Sequence, residues 1–411
     1  VCLFFAFHPL QTETVTYIWQ RVTSLSVFFS LLSFLAYLQY RTKNVSVFLY
    51  ISLFFGFLAL FTKQSAATIP IIIILLEVFF FGTSWNHLKK QIPVFTAYFS
   101  LLGIPLLLLT DGMSMELSHI QERNTLSPIE YFFNQGNVML TYLRLIFFPI
   151  GQNLDYDYPV AASFFDIEAA WIILTSLIII GILLFSQYRA ASFGIFFFLS
   201  GLLVESSFIP LDDLIFEHRL YLPLTGIVIT ALSPLLYVEH KRIRRNILIV
   251  STGVLFCFIV LTKERNSLWR NEIVFWSDVI KKAPHKERGY LNIAAAFHDI
   301  ADKEKEYLWY KKCTQNVPQS TICHYIIARK FQKKGNYFQA LKYYKKILKM
   351  GKKPDTLIWL RIGEMYESQN QWGKAKKTYQ KILEKSSVSV RKEVLQKIIN
   401  IEAKSQKMRN K

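Results

Sequence analysis

A series of apolar runs, each about as long as a bilayer is thick, constrains this chain more than any other feature. A spanning helix needs roughly 20 mainly apolar residues. Eight stretches approach that length: 22–40, 45–61, 66–82, 92–110, 169–187, 192–210, 220–238 and 246–262. Residues 1–7 (VCLFFAF) read as the end of a severed ninth helix, so we expect the N-terminal portion of a longer protein to be missing. A soluble domain has little use for 52% hydrophobic residues and 35 Phe, because only its core is apolar. Ionisable residues are sparse before position 262 and dense after it. That break predicts an all-α chain in two parts: a transmembrane bundle over 1–262 and a soluble helical domain over 263–411.

Residues 132–149 (FFNQGNVMLTYLRLIFFP) are long enough to cross, but Asn134, Gln135, Asn137 and Arg144 interrupt them. We read an interfacial or re-entrant helix there, and the distribution of Lys and Arg favours it. If 132–149 does not cross, Arg41, Lys43, Lys89, Lys90, Arg189 and the cluster Lys241, Arg242, Arg244 and Arg245 all lie on one side, the cytoplasm. Loops 7–21, 62–65, 111–168 and 211–219 and the whole C-terminal region then face outward. That is the periplasm of a bacterium or the lumen of the endoplasmic reticulum.

The C-terminal region repeats itself with a period near 34. Ala294, Ala328 and Gly363 recur, as do Phe297, Phe331 and Tyr366, and Tyr310, Tyr344 and Tyr379; Pro284, Pro318 and Pro354 punctuate the units. Ala340 and Ala375 precede their Tyr by four residues. Small residues where helices cross and aromatics between them resemble the tetratricopeptide repeat, an α-solenoid. The first unit departs from the pattern at Glu306, and 388–405 reads as a polar capping helix. Such repeats predict a surface for an acceptor protein or peptide. The formal charge of +19 brings no basic helix interleaved with base-stacking aromatics, so no nucleic-acid partner is expected. Cys2, Cys257, Cys313 and Cys323 form no CxxC motif. We expect Cys313 and Cys323 to be small buried thiols, with pairing the alternative if that region is exported.

Polar groups in or beside spanning helices are expensive and therefore mark sites. Four clusters stand out: His8, Glu13 and Arg21; Lys63 and Gln64; Arg144 with Asp155 and Asp157; and Asp212, Asp213, Glu217, His218 and Arg219, followed by Tyr221. All four fall on the outer face of the expected topology. Cations in such number suit a phosphate or pyrophosphate, and a carboxylate among them suits a general base for a hydroxyl. Paired carboxylates could hold a divalent metal, but no spacing demands one. No cofactor is expected.

The motifs HPLQTETVTYIWQR, Lys63 at a helix end, YLRLIFFP followed by NLDYDYP, EHRLYLP, and RNSLWRNEIVFWSDVIKKAP leading into repeats occur in that order. In this combination the chain resembles the transmembrane and tetratricopeptide-repeat O-mannosyltransferases and their bacterial homologues, within the GT-C superfamily. The resemblance implies a glycosyltransferase that moves mannose or a similar sugar from a polyprenyl-phosphate donor to protein hydroxyls on the non-cytoplasmic face. It assigns donor-phosphate binding to Lys63 and Arg219, with His8, Glu13 and Arg21 lining the same site. From the residues themselves Arg144 joins the phosphate-binding group, with Asp155, Asp157, Glu217, His218 and Tyr221 in support. The family usually carries an acidic residue directly after the lysine, where this chain has Gln64. GT-C enzymes place their catalytic acid in the first outer loop, so we expect it upstream of Val1. Asp212, Asp213 and Glu13 remain the candidates within the chain. Two other readings stay open: a catalytically silent membrane scaffold that recruits partners through the repeats, and a transporter of lipid-linked sugars. A transporter should hold its polar groups near the bilayer midplane, whereas these gather at one end.

Overall fold

The computed structural model describes residues 1–108, 126–161, 163, 165–350, 356–383 and 388–409. The described residues are helices, turns and loops with no strand. They divide into two compact units, Val1–Asn271 and Glu272–Lys411. The boundary expected after 262 falls inside the last helix of the first unit. The C-terminal end of the expected 92–110 span, much of the following loop, and Pro354 lie outside the described residues.

The first unit opens with two short helices, α1 (Cys2–Phe7) and α2 (Gln11–Thr16), and a 3-10 turn at Ile18–Gln20. Next come α3 (Arg21–Lys43) and α4 (Val47–Thr62), joined through Asn44 in the left-handed conformation (φ 55°), where its amide caps Tyr40 O. One face of α3 is made of small hydroxyl residues, Thr23, Ser26, Ser30 and Ser33, all buried. Ser26 donates to Ala59 O at 3.1 Å and Ser33 to Ser52 O at 2.8 Å. Small side chains let helix backbones approach where no water drives them together. The opposite face, with Phe28 and Leu35, is exposed.

The expected span 66–82 is composite: a 3-10 segment (Gln64–Thr68), α5 (Ile69–Leu76) and a π turn (Glu77–Phe81). At that turn the buried Glu77 carboxylate accepts from Tyr37 Oη at 2.6 Å and Arg41 Nε at 3.0 Å, with His87 Nε2 at 2.6 Å. After α6 (Trp85–Leu108), α7 (Pro128–Phe147) begins with Ser127 and Glu130 capping one another. The polar residues that interrupt 132–149 are held by the protein itself. Asn134 Oδ1 accepts from Ala161 N at 2.8 Å, and Gln135 bonds Ser206 Oγ at 2.9 Å and Leu214 O at 3.2 Å.

Helices α8 (Phe165–Leu184) and α9 (Arg189–Leu202) follow. A 3-10 turn (Glu217–Leu220), α10 (Leu224–Leu232), α11 (Pro234–Tyr237) and α12 (Lys241–Leu268) complete the unit. Pro234 splits the expected span 220–238 into α10 and α11, because proline lacks the amide and crowds the carbonyl four residues back. Helix α9 is central: Phe193 and Phe197 face a core with Phe34, Tyr37, Ile72 and Tyr98, while Phe198 and Leu202 face another with Tyr142, Leu145, Leu220 and Leu224. It crosses α10 with Gly194 against Gly226, where a Cβ on either would strike the other's carbonyl oxygen.

Eight spans were expected. Among the described residues, four helical segments are long and apolar enough to cross a membrane: Ile18–Lys43, Gln64–Phe81, Phe165–Leu184 and Lys241–Leu268. Val47–Thr62, Arg189–Leu202 and Leu224–Tyr237 are shorter apolar helices. The span expected at 192–210 ends as helix at Leu202, just before a buried carboxylate, Glu205.

The second unit contains α13 (Glu272–Lys282), α14 (Glu287–Asp299), α15 (Lys303–Asn316), α16 (Thr321–Lys333), α17 (Tyr337–Lys349), α18 (Thr356–Ser368), α19 (Trp372–Leu383) and α20 (Val388–Arg409). The sequence period reappears in the backbone. Ala301 (φ 60°), Gly335 (φ 73°) and Asn370 (φ 58°) all turn left-handed after α14, α16 and α18. The next amide in each case bonds back across the helix end: Asp302 N to Phe297 O, Asn336 N to Phe331 O and Gln371 N to Tyr366 O, at 2.8 to 3.0 Å. Ala328 packs with Ala340 and Tyr344, and the Tyr379 ring lies against Gly363. Glu306, the odd residue of the first repeat, is buried and pairs with Lys330 at 2.9 Å. Cys313 and Cys323 are buried as expected, but they are joined in a disulfide (Cα–Cα 6.1 Å) that ties α15 to α16, so the expectation of free thiols is corrected. Cys2 and Cys257 are free and exposed.

Candidate functional site

The site is built where α2, the start of α3, the end of α4 and the Glu217–Leu220 turn converge. Lys63 leaves the last turn of α4 and donates to Thr23 Oγ1 at 2.9 Å. Its Nζ also lies 3.4 Å from Glu205 Oε1. Lys63 lines a cleft together with Thr23, Ser26, Glu205, His218 and Arg219. Arg219 is buried and is held in place by backbone: Nη1 donates to Leu214 O and Nη2 to Asp213 O, both at 2.9 Å, with the guanidinium over the Phe216 ring.

His218 Nδ1 lies 2.6 Å from Glu13 Oε1, bridging the chain across 205 residues. Both groups are buried. Burial pushes the Glu13 carboxyl up to about 8 and the His218 imidazole down to about 3. At neutral pH the pair therefore holds its proton and carries no net charge. Arg265, Lys63 and Arg219 each oppose the rise at Glu13, in that order. The rest of α2 is unusual. Gln11, Thr12 and Thr14 and Glu13 Oε2 all present buried polar atoms with no hydrogen-bond partner among the described residues. A buried donor or acceptor left without a partner costs about 1–3 kcal/mol.

Glu217, next to His218, explains the NLDYDYP motif. Its carboxylate accepts from Gln152 Nε2 at 2.7 Å, Asn153 N at 2.6 Å and Tyr156 Oη at 2.6 Å. Burial still raises it to about 7, with Arg265 opposing the rise, Glu13 adding to it, and the bonds from Tyr156 and Gln152 opposing it. Glu217 is thus a clasp that fixes the 152–156 loop behind the cleft.

Lys63, His218 and Arg219 are thus brought together, with Glu13 and Glu217 directly behind them. Other expected residues are elsewhere. Both ring nitrogens of His8 serve backbone, Nε2 to Ile146 O at 2.9 Å and Nδ1 to Leu10 N at 3.2 Å, and burial lowers it to about 4, so it is a neutral strut and not a phosphate cation. Arg21 is exposed at the start of α3 and lies outside the cleft lining. Arg144 is exposed and caps its own helix end through Ile150 O at 3.1 Å. Asp157 and Asp212 are exposed. Asp155 is buried with its carbonyl on Asn153 Nδ2, and Asp213 meets the site through its carbonyl on Arg219. Tyr221 rests edge-on to Phe5.

Two residues escaped the sequence reading. Glu205 lies inside a predicted apolar span, and its signal was a lone carboxylate there; its Oε1 stands 3.4 Å from Lys63 Nζ. Arg265 is buried near the end of α12 and is the strongest charge acting on both Glu13 and Glu217. Its signal was the first residue of RNSLWR. Among the described residues no group of three or more His, Cys, Asp or Glu is placed to hold a metal ion.

Comparison with known proteins bears on this arrangement. The chain is similar to a protein O-mannosyl-transferase of Caenorhabditis elegans. The two are 22% identical over 321 residues, covering 74% of this chain. The chain spans about 44% of the length of that relative. No protein-family model matches the chain.

Proposed function

We propose that the protein is a multi-pass membrane glycosyltransferase with a GT-C-like bundle. It takes a sugar from a polyprenyl-phosphate donor and passes it to a protein hydroxyl on the non-cytoplasmic face. The observation that carries this reading is the cleft in which Lys63 and Arg219 stand beside the Glu13–His218 pair; the likeness to an O-mannosyl-transferase supports it. Lys63 and Arg219 would hold the donor phosphate, with Arg265 adding positive potential from behind. The acceptor oxygen attacks the anomeric carbon as the bond from that carbon to the phosphate oxygen breaks. The phosphate keeps the electron pair, and its growing charge is what the two cations stabilise. The hydroxyl proton passes to His218, oriented by Glu13, in the form the pair reaches when Glu13 has lost its own proton. The second unit, read as a tetratricopeptide-repeat solenoid, would recruit the acceptor polypeptide.

Lys63 is a better test than Arg219, whose removal would also release the 213–214 carbonyls. Transfer from a polyprenyl-phosphate mannose to an acceptor peptide is measured in membranes holding the intact protein. Lys63→Gln should lower it by about 2 kcal/mol of transition-state stabilisation, roughly 30-fold, the worth of one charge-assisted contact. Lys63→Gln/Glu205→Gln, which leaves no lone buried carboxylate, should be equally impaired. Transfer restored by the double variant would remove Lys63 from the phosphate site and leave it a counterion. No transfer by the wild type from any lipid-linked sugar would favour the scaffold reading.

A further inference from the structure

The charge of this protein is not shared between its two units. Residues 272–411 hold 31 Lys and Arg against 13 Asp and Glu, so +18 of the formal +19 falls there. Within them, residues 307–354 contain twelve Lys and Arg and no Asp or Glu at all. On α17 four of these cations fall at positions i, i+3, i+4 and i+7: Lys342, Lys345, Lys346 and Lys349. That spacing makes one stripe along the helix. All four are exposed, on the side opposite the buried Ala340, Tyr344 and Ile347. No ion pair involves any of them among the described residues. Like charges at i, i+3 and i+4 destabilise a helix, and among the described residues no ion pair offsets that repulsion. One turn before the stripe, on the same side, Phe338 is 78% exposed.

We infer that the outer face of α17 is a docking surface for an acidic polypeptide segment, with the lysine stripe meeting its carboxylates and Phe338 as the apolar anchor. Charge complementarity sets the sign of the partner. The anchor sets its class. A helix that lies in a lipid interface needs a broad apolar face, and the apolar residues of α17 other than Phe338 are already used in the repeat core. Exposed aromatics, Phe among them, are enriched where one protein surface meets another. The surface is independent of the bundle site, so it stands whether or not the bundle transfers sugar.

The test uses the whole chain in detergent and a fluorescein-labelled helical peptide with Glu at i, i+3, i+4 and i+7 and Leu one turn away. The expected result is saturable binding. It should weaken at least tenfold for Lys342→Gln/Lys345→Gln/Lys346→Gln/Lys349→Gln and about fivefold for Phe338→Ala. A control variant with the same loss of charge, Lys374→Gln/Lys376→Gln/Lys377→Gln/Lys381→Gln on α19, should change it less than twofold. Equal weakening in both quadruple variants, or equal binding of the Gln-for-Glu peptide, overturns the proposal. So does tighter binding to vesicles of anionic phospholipid or to single-stranded RNA than to the peptide. Circular dichroism confirms that each variant keeps its helices.

Discussion

At the scale of single residues, the bundle site rests on a trade between charge and burial. Glu13 keeps its proton to about pH 8 in the fold but releases it near 4.5 when unfolded. Between those values the folded state binds the extra proton, so stability falls as pH rises through the window. Glu217, raised to about 7, adds to the same fall. The proposed chemistry runs the other way, because the pair accepts a proton only once Glu13 has lost one. Transfer should therefore climb toward pH 8 while the melting temperature in detergent declines. Glu13→Gln should remove the rising limb of activity and make the stability profile shallower. A limb that persists unchanged in Glu13→Gln would exclude the pair as proton acceptor. Lys63, Glu13, Glu217, His218 and Arg219 were legible in sequence because an ionisable group beside an apolar helix is costly and so conspicuous. His8 was misjudged on the same evidence: its ring serves two backbone groups, which a sequence does not record. Glu205 and Arg265 were hidden, one inside an apolar run and the other in a charged one.

At the scale of elements, helix contacts are set by what is missing from side chains. Helices α9 and α10 touch backbone to backbone at Gly194 and Gly226, and the opposing atoms are carbonyls that cannot rotate away. Gly226→Ala should cost about 3 kcal/mol, the upper end of overpacking, and lower the melting temperature by several degrees. Because α9 joins both cores, the loss should appear as one cooperative transition; a melting temperature within a degree of wild type would mean the helices part freely. The apolar runs predicted helices well, since length and hydropathy need no tertiary context. They predicted continuity poorly. Pro234 ends a helix that composition alone would extend, the 192–210 run stops being helix at Leu202, and the π turn at Glu77 leaves no mark in hydropathy. In the second unit the period was plain from Ala, Tyr and Phe spacing, yet the left-handed turn at Ala301 was invisible, because alanine does not advertise positive φ.

At the scale of the whole molecule, the disulfide bears on the compartment. Disulfides persist in oxidising surroundings, which accords with an outward-facing second unit. Thiol alkylation of the denatured, unreduced protein should mark Cys2 and Cys257 alone, and reduction should add Cys313 and Cys323. Four labelled cysteines before reduction would argue for a reducing compartment and against the proposed sidedness. The partition of charge has a kinetic side as well. A first unit with 17 cations and 16 anions is nearly silent at long range, whereas the second carries almost the whole field. An anionic macromolecule diffusing nearby is steered to the lysine-rich unit before any contact forms. On the proposed reading, encounter and chemistry fall to different parts of the chain, and the ionic strength of the medium would set how often the first occurs without touching the second.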